Sequence, residues 1–226
     1  MWTLKKYKIG FPTNSAIFAQ FLFSCATLCC MVLFLPQHAS SQRNDILEVK
    51  ALKSEIRTRY SLSESDLVRI EPLIDQEGRK LIKMYIRFSG DEPEYSSRVW
   101  DQVIEDRITF DSSLATTLSK RQREAVRSAR YRMEKKVLGY LVDDYMNLLV
   151  QLLDLNDFQS SEISTLLDSD CTKKMQSIAL RLGDVPNLQK ELEYLSETTE
   201  RNFKRIMTPE QWRMYGKLKE NSTPVA

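Results

Sequence analysis

The sequence predicts an all-α protein: two repeated units of antiparallel helices that share one long central helix, after an N-terminal signal segment. Three observations support this. Only 6 of the 226 residues are glycine and 7 are proline, which is few for a loop-rich or all-β chain. Apolar residues recur at steps of three and four along most of the chain after residue 44. Four short motifs with the pattern of a helix start divide this part of the chain.

Residues 1–41 are predicted to direct export. Three lysines and no acidic residue accompany an apolar stretch over residues 17–35. Small residues at Ala39 and Ser41 suit the positions that signal peptidase requires, so cleavage is expected before Gln42.

An uncleaved N-terminal anchor is the alternative, because residues 15–35 are nearly long enough to cross the inner membrane. Lipoprotein processing at Cys25 is disfavoured, since the sequence after this cysteine stays apolar. Each alternative exports residues 42–226, so a periplasmic or other extracytoplasmic location is expected.

The exported part is expected to comprise a first helical unit over residues 42–134, a second over residues 135–220 and a flexible tail over residues 221–226. The apolar period continues without a break over residues 119–154. This predicts one helix of about 36 residues, on the order of 54 Å long, which would be the last helix of the first unit and the first of the second.

Four motifs place an apolar residue first, then Ser, Thr or Asn, and then Asp or Gln three positions later. This is the pattern of a capping box, in which the first polar side chain accepts from an N–H of the opening helical turn. The second polar side chain reaches back to the N–H of the first. A capping box by itself only begins a helix and binds no ligand. The motif residues are Leu62, Ser63 and Asp66; Leu118, Ser119 and Gln122; Leu155, Asn156 and Gln159; and Met207, Thr208 and Gln211.

The motif positions indicate an internal repeat. The third motif follows the first by 93 residues (155 − 62), and the fourth follows the second by 89 (207 − 118). A Gly-Asp-x-Pro turn at residues 90–93 recurs at residues 183–186, again at a spacing of 93. Convergent helix-loop patterns could imitate part of this, but the recurring turn favours duplication.

Two acidic residues also occupy equivalent places in the repeat. Asp75 and Asp168 lie 93 residues apart, each beside apolar positions. They are expected to form polar edges of the core face, or to pair with Arg79 and Lys173 on their own helices.

The segment from Met207 to Gln211, which reads Met-Thr-Pro-Glu-Gln, is close to the form LTPEQ. With its other three motifs, the chain resembles the Spy/CpxP-like LTxxQ-motif family of periplasmic helical proteins over roughly residues 44–220. This resemblance implies ATP-independent chaperoning, or sensing of envelope stress or metals, and a dimeric cradle for clients. Two units in one chain could form such a cradle alone, so we expect a monomer, with a dimer as the alternative.

Residues 120–136 hold eight basic and two acidic side chains, a local charge of +6 (8 − 2). Arg123, Arg127 and Arg130 are predicted to share a helix face beside an apolar stripe. That stripe includes Val126 and Met133. A mixed basic and apolar face is the candidate surface for unfolded clients. The alternative is a solvated helix flank that pairs with acids of neighbouring helices.

The sequence argues against catalysis, cofactors and nucleic acid. Without residues 1–41 the formal charge falls from +2 to −1 (30 − 31), so no basic excess remains. The only histidine, His38, lies in that segment, and outside it no phosphate-binding loop, Ser/His/Asp set or Cys pair occurs. Cys171 is the only cysteine outside residues 1–41. Asp143 and Asp144 could bind a hard cation weakly, but an acidic pair is more typical of a solvated helix face. We therefore expect no catalytic residue, no metal ligand and no cofactor.

These observations predict an exported, non-enzymatic, Spy/CpxP-like helical protein that acts as a periplasmic chaperone or envelope-stress binding protein. Its expected partners are unfolded or partly folded envelope proteins, or an envelope sensor protein. The alternative is a membrane-tethered structural or interaction scaffold without chaperone activity. A concave surface that mixes apolar and basic side chains would favour the chaperone.

Overall fold

A computed structural model describes residues 49–90, 95–114 and 118–221 of the chain. The predicted signal segment, residues 1–41, lies outside the described residues, and so does the predicted tail beyond residue 221. The described residues form seven helices and no strand. The all-α prediction is therefore confirmed.

The helices follow one another through short connections. They are α1 (Val49–Arg59), α2 (Glu64–Phe88), α3 (Ser97–Leu114), α4 (Lys120–Leu153), α5 (Asp157–Arg181), α6 (Val185–Ile206) and α7 (Pro209–Asn221).

All four predicted capping boxes are present, at the starts of α2, α4, α5 and α7. In each, the N–H of the capping residue donates to the side chain three positions on, and the N–H there donates back, at 2.8–3.3 Å. These bonds satisfy N–H groups that have no partner inside the helix. The pairs are Ser63 with Asp66, Ser119 with Gln122, Asn156 with Gln159 and Thr208 with Gln211.

The long helix α4 has 34 residues, close to its predicted length. It contacts α1, α2, α5 and α7. The helix ends at Leu153 and is followed by its C-cap residue Asp154, whose φ of 50° lies in the left-handed region. Aspartate tolerates this conformation better than most residues, because its short side chain can hydrogen-bond locally. The left-handed residue lets the chain turn directly into α5.

One hydrophobic core receives side chains from every described helix, from Ile56 of α1 to Tyr215 of α7. Trp100 of α3 and Phe203 of α6 are the largest side chains that are fully buried. Burying one such apolar side chain stabilises the fold by roughly 1.5–3 kcal/mol. The helices are therefore held mainly by their apolar faces.

Helices α2 and α5 agree in length and position with the proposed repeat. Each has 25 residues. The start of α5 lies 93 residues after that of α2 (157 − 64), and its end also lies 93 residues later (181 − 88). This agreement is what duplication would produce, and the division into two repeated units stays a prediction.

Candidate functional site

Three of the five residues of the predicted client surface on α4 are buried. Val126, Met133 and Arg130 are only 0%, 4% and 3% exposed. The prediction was wrong for these three residues because α2 and α3 cover this side of α4. Glu77 of α2 contacts the Arg130 guanidinium from one helix, and Phe110 of α3 stacks on it from another.

The other two arginines of the predicted surface also have partners within the chain. The half-buried Arg123 donates from Nη1 to the carbonyl oxygen of Leu118 at 2.7 Å. The exposed Arg127 pairs with Asp111 of α3, with 2.8 Å between Nε and Oδ1. The alternative interpretation, a flank that pairs with acids of neighbouring helices, describes Arg127 correctly.

Arg130 belongs to a buried cluster of charges between α2, α3 and α4. Its guanidinium pairs with Glu77 and donates to the carbonyl oxygen of Asp106 at 3.1 Å. The fully buried Glu134 lies 3.5 Å from its Nε and accepts two bonds of 3.0 Å from Arg107. The cluster joins three helices, so its role is structural.

The motif residues have a second role that the sequence did not reveal. The amide of Gln122 donates to Asp66 at 2.7 Å, which links the starts of α4 and α2. The amides of Gln159 and Gln211 donate to each other at 2.8 and 3.2 Å, which links the starts of α5 and α7. The side chains that close the capping boxes therefore also fasten the helices together in pairs. None of these side chains belongs to the lining of the cavity described next.

The best candidate for a binding site is a cavity of about 760 Å³ that involves α3, α4, α5, α6 and α7. We call it the Lys174 cavity. Its characteristic lining residues are Tyr95, Trp100, Tyr145, Asp170, Lys174 and Tyr215.

A buried ion pair forms one wall of the Lys174 cavity. The Lys174 ammonium lies 2.7 Å from Oδ2 of Asp170, and these side chains are only 3% and 2% exposed. Asp170 also accepts from the Tyr95 hydroxyl at 3.0 Å and from the Thr199 hydroxyl at 3.1 Å. Lys174 donates to the Ser196 hydroxyl at 2.7 Å. Such a pair is tolerated inside a protein because these hydrogen bonds satisfy the remaining polar atoms.

Aromatic rings form a second wall. The Lys174 ammonium lies 5.4 Å from the centroid of the Tyr95 ring and 5.2 Å from that of the Trp100 ring. At these distances a cation is attracted to the ring faces. Tyr95 also lies against Tyr145, with 5.9 Å between ring centroids. Within the described residues, the buried indole Nε1–H of Trp100 has no hydrogen-bond partner.

The electrostatics of this wall follow from burial. Burial lowers the pKa of Lys174, and the Asp170 carboxylate opposes this shift by favouring the charged ammonium. Burial raises the pKa of Tyr95 well above its ordinary value, and Asp170 adds to that shift. Burial also raises the pKa of Tyr145 to about 12. The tyrosines are therefore neutral near pH 7 and keep their hydroxyl protons for donation.

Asp170 and Lys174 were not singled out from the sequence, although a signal was present. They lie four residues apart on α5, in the same stretch as the buried apolar residues Leu167, Cys171 and Met175. Charged residues at positions that a helical period assigns to the core are expected to pair with each other or to serve a site. Glu77 of α2, 93 residues before Asp170 (170 − 77), shows the same signal.

Cys171 and the acidic pair of Asp143 and Asp144 lie in different surroundings. Cys171 is free and buried, and burial raises its pKa to about 12, so it is a poor nucleophile near neutral pH. Asp144 accepts from the Tyr85 hydroxyl at 2.8 Å. Within the described residues, no group of three or more His, Cys, Asp or Glu side chains could hold a metal ion. His38 lies outside those residues.

The chain was compared with known proteins and protein families. No protein-family model, curated protein or solved structure matches the chain. Among the helices that the structure describes, none is both long enough and apolar enough to span a membrane.

Proposed function

We propose that the chain is an exported, non-enzymatic binding protein of the Spy/CpxP-like kind, which acts as a periplasmic chaperone or envelope-stress binding protein. Its partners are unfolded or partly folded envelope proteins, or an envelope sensor protein. It binds them as a monomer at the Lys174 cavity, and not at the arginines of α4.

The Lys174 cavity is the observation that supports this proposal most. Its volume of about 760 Å³ lies in the range of ligand-binding pockets, roughly 300–1,000 Å³. Its wall combines aromatic rings with charged groups, so it offers contacts to a segment that exposes both apolar and polar side chains. Contacts of this mixed kind are individually weak, which suits a binder that releases its partner without ATP.

The non-enzymatic part of the proposal is supported by the bonding of Lys174. A nucleophilic lysine needs a free amine with an unshared electron pair. Here Asp170 and Ser196 each bind the ammonium at 2.7 Å, and two aromatic rings flank it. These contacts let Lys174 hold the wall together, which favours a binding role for the cavity.

An aggregation assay tests the proposal. The full chain should reduce light scattering by a reporter enzyme that aggregates on heating. A Ser97→Trp variant narrows the Lys174 cavity, because Ser97 is an exposed residue of its lining. Ser112→Trp is the matched control, since Ser112 is an exposed serine of the same helix outside the lining.

We expect Ser97→Trp to weaken the suppression of aggregation and Ser112→Trp to leave it unchanged. No suppression by the unmutated chain would contradict the chaperone and favour the scaffold. Equal suppression by both variants would contradict the assignment of binding to this cavity.

A further inference from the structure

The charges that line the Lys174 cavity are unbalanced. Three lining side chains are basic and five are acidic, a net charge of −2 (3 − 5). Lys174 is paired with Asp170, and Lys219 of α7 is paired with Glu200 of α6. Arg98, the third base, also has a partner. The net charge of the lining therefore favours a cationic ligand over an anionic one.

The acidic groups that remain are Asp101 of α3 and Glu193 and Glu197 of α6. All three are exposed, and within the described residues none of them belongs to an ion pair. Glu193 and Glu197 lie four residues apart, where like charges on one helix repel and destabilise it slightly. A cation placed between them would relieve this repulsion.

Two further features of the aromatic wall indicate which groups a ligand would provide besides a cation. The indole N–H of Trp100 is buried and, within the described residues, lacks an acceptor, which costs free energy. The rings of Tyr95 and Trp100 flank the Lys174 ammonium and give this wall an aromatic character, which suits apolar side chains of a ligand. A peptide segment can supply a carbonyl acceptor, a basic side chain and apolar groups together.

We propose that the Lys174 cavity takes extended peptide segments in which basic and apolar side chains alternate. Glu193 and Glu197 bind the basic side chains, and the aromatic wall contacts the apolar ones. This selectivity rests on the proposed binding function and names the class of segment that the cavity accepts. A client surface built on the arginines of α4 would instead favour acidic segments.

Fluorescence anisotropy with two labelled peptides tests this proposal on the full chain. One peptide alternates arginine with leucine, and the other alternates glutamate with leucine. We expect the arginine peptide to bind and the glutamate peptide to bind far more weakly. Added salt should weaken the binding of the arginine peptide, because ions screen exposed charges. Equal or tighter binding of the glutamate peptide would overturn the proposal.

Charge-neutral variants locate the binding. Glu193→Gln combined with Glu197→Gln should lower the affinity for the arginine peptide by about three- to tenfold, as expected for the loss of two exposed ion pairs. Glu124→Gln combined with Glu162→Gln is the control, since it removes two charges at exposed residues outside the lining. Circular dichroism checks that both variants keep their helices. An unchanged affinity in the first variant would also overturn the proposal.

The aggregation assay separates this proposal from the function on which it rests. If the chain suppresses aggregation but does not bind the arginine peptide, the proposed selectivity is wrong and the chaperone function stands. If the chain binds the arginine peptide in the Glu193- and Glu197-dependent way but suppresses no aggregation, the peptide site stands and the chaperone function is wrong.

Discussion

Replacing Arg130 by alanine should test whether the basic stretch of α4 is a surface or part of the core. In the structure, the guanidinium is buried, pairs with Glu77 and lies 3.5 Å from Glu134. It also lies over the ring of Phe110, with 4.7 Å between its central carbon and the ring centroid. Alanine removes these contacts and leaves an opening between three helices.

The expected loss of stability depends on the two carboxylates, Glu77 and Glu134, that remain after Arg130 is removed. Removing one partner of a buried ion pair typically costs about 3–5 kcal/mol, since the other charge remains desolvated. Lys80 still pairs with Glu77, and Arg107 still pairs with Glu134. We therefore expect a loss near the lower limit, about 3 kcal/mol. That is a large part of the 5–15 kcal/mol that is typical of a folded domain.

Urea denaturation followed by circular dichroism measures this loss. Arg127→Ala is the matched control, because Arg127 lies on the same helix as Arg130 but forms an exposed pair with Asp111 of α3. Exposed pairs contribute only about 0.2–1 kcal/mol. If Arg130→Ala costs no more than Arg127→Ala, the buried cluster is not as described. Arg130→Glu should cost still more, because it places a third carboxylate beside two others.

Three further predictions concern the caps and the N-terminus. Ser63→Ala and Thr208→Ala should each reduce the free energy of unfolding by about 1 kcal/mol, because each removes the acceptor of a capping bond; melts that show no loss for either would refute this. Hydrogen bonds from the Ser63 hydroxyl and N–H lower the pKa of Asp66 below its ordinary value of 3.8. A lowered carboxyl pKa stabilises the fold above pH 3.8, and this contribution is lost as the pH falls through the folded-state pKa. Urea melts at falling pH should therefore show a smaller acid-induced loss of stability for Asp66→Asn than for the unmutated chain. Equal losses in the two proteins would contradict this. Intact mass of the protein from its native envelope should show a chain that begins near Gln42, whereas retention of Met1 would favour an anchor.

Features that depend on neighbours along the chain could be predicted from the sequence. The capping boxes join residues three positions apart, so the pattern at Ser63 and at Thr208 was sufficient to locate a helix start. The length of α4 followed from an unbroken apolar period. These interactions lie within one or two helical turns, and chain geometry fixes their distances before any tertiary packing.

Features that depend on which helices meet could not be predicted in this way. One expectation for Asp75 was a pair with Arg79 on its own helix, but Asp75 pairs with Lys53 of α1, at 3.0 Å. A helical period shows where apolar residues lie on one helix, and it does not show how many neighbours cover that helix. Because α2 and α3 both lie against α4, Arg130 is buried in spite of its charge. The Lys174 cavity depends on α3, α4, α5, α6 and α7 together, so only the tertiary structure brings Trp100, Asp170 and Tyr215 to one place.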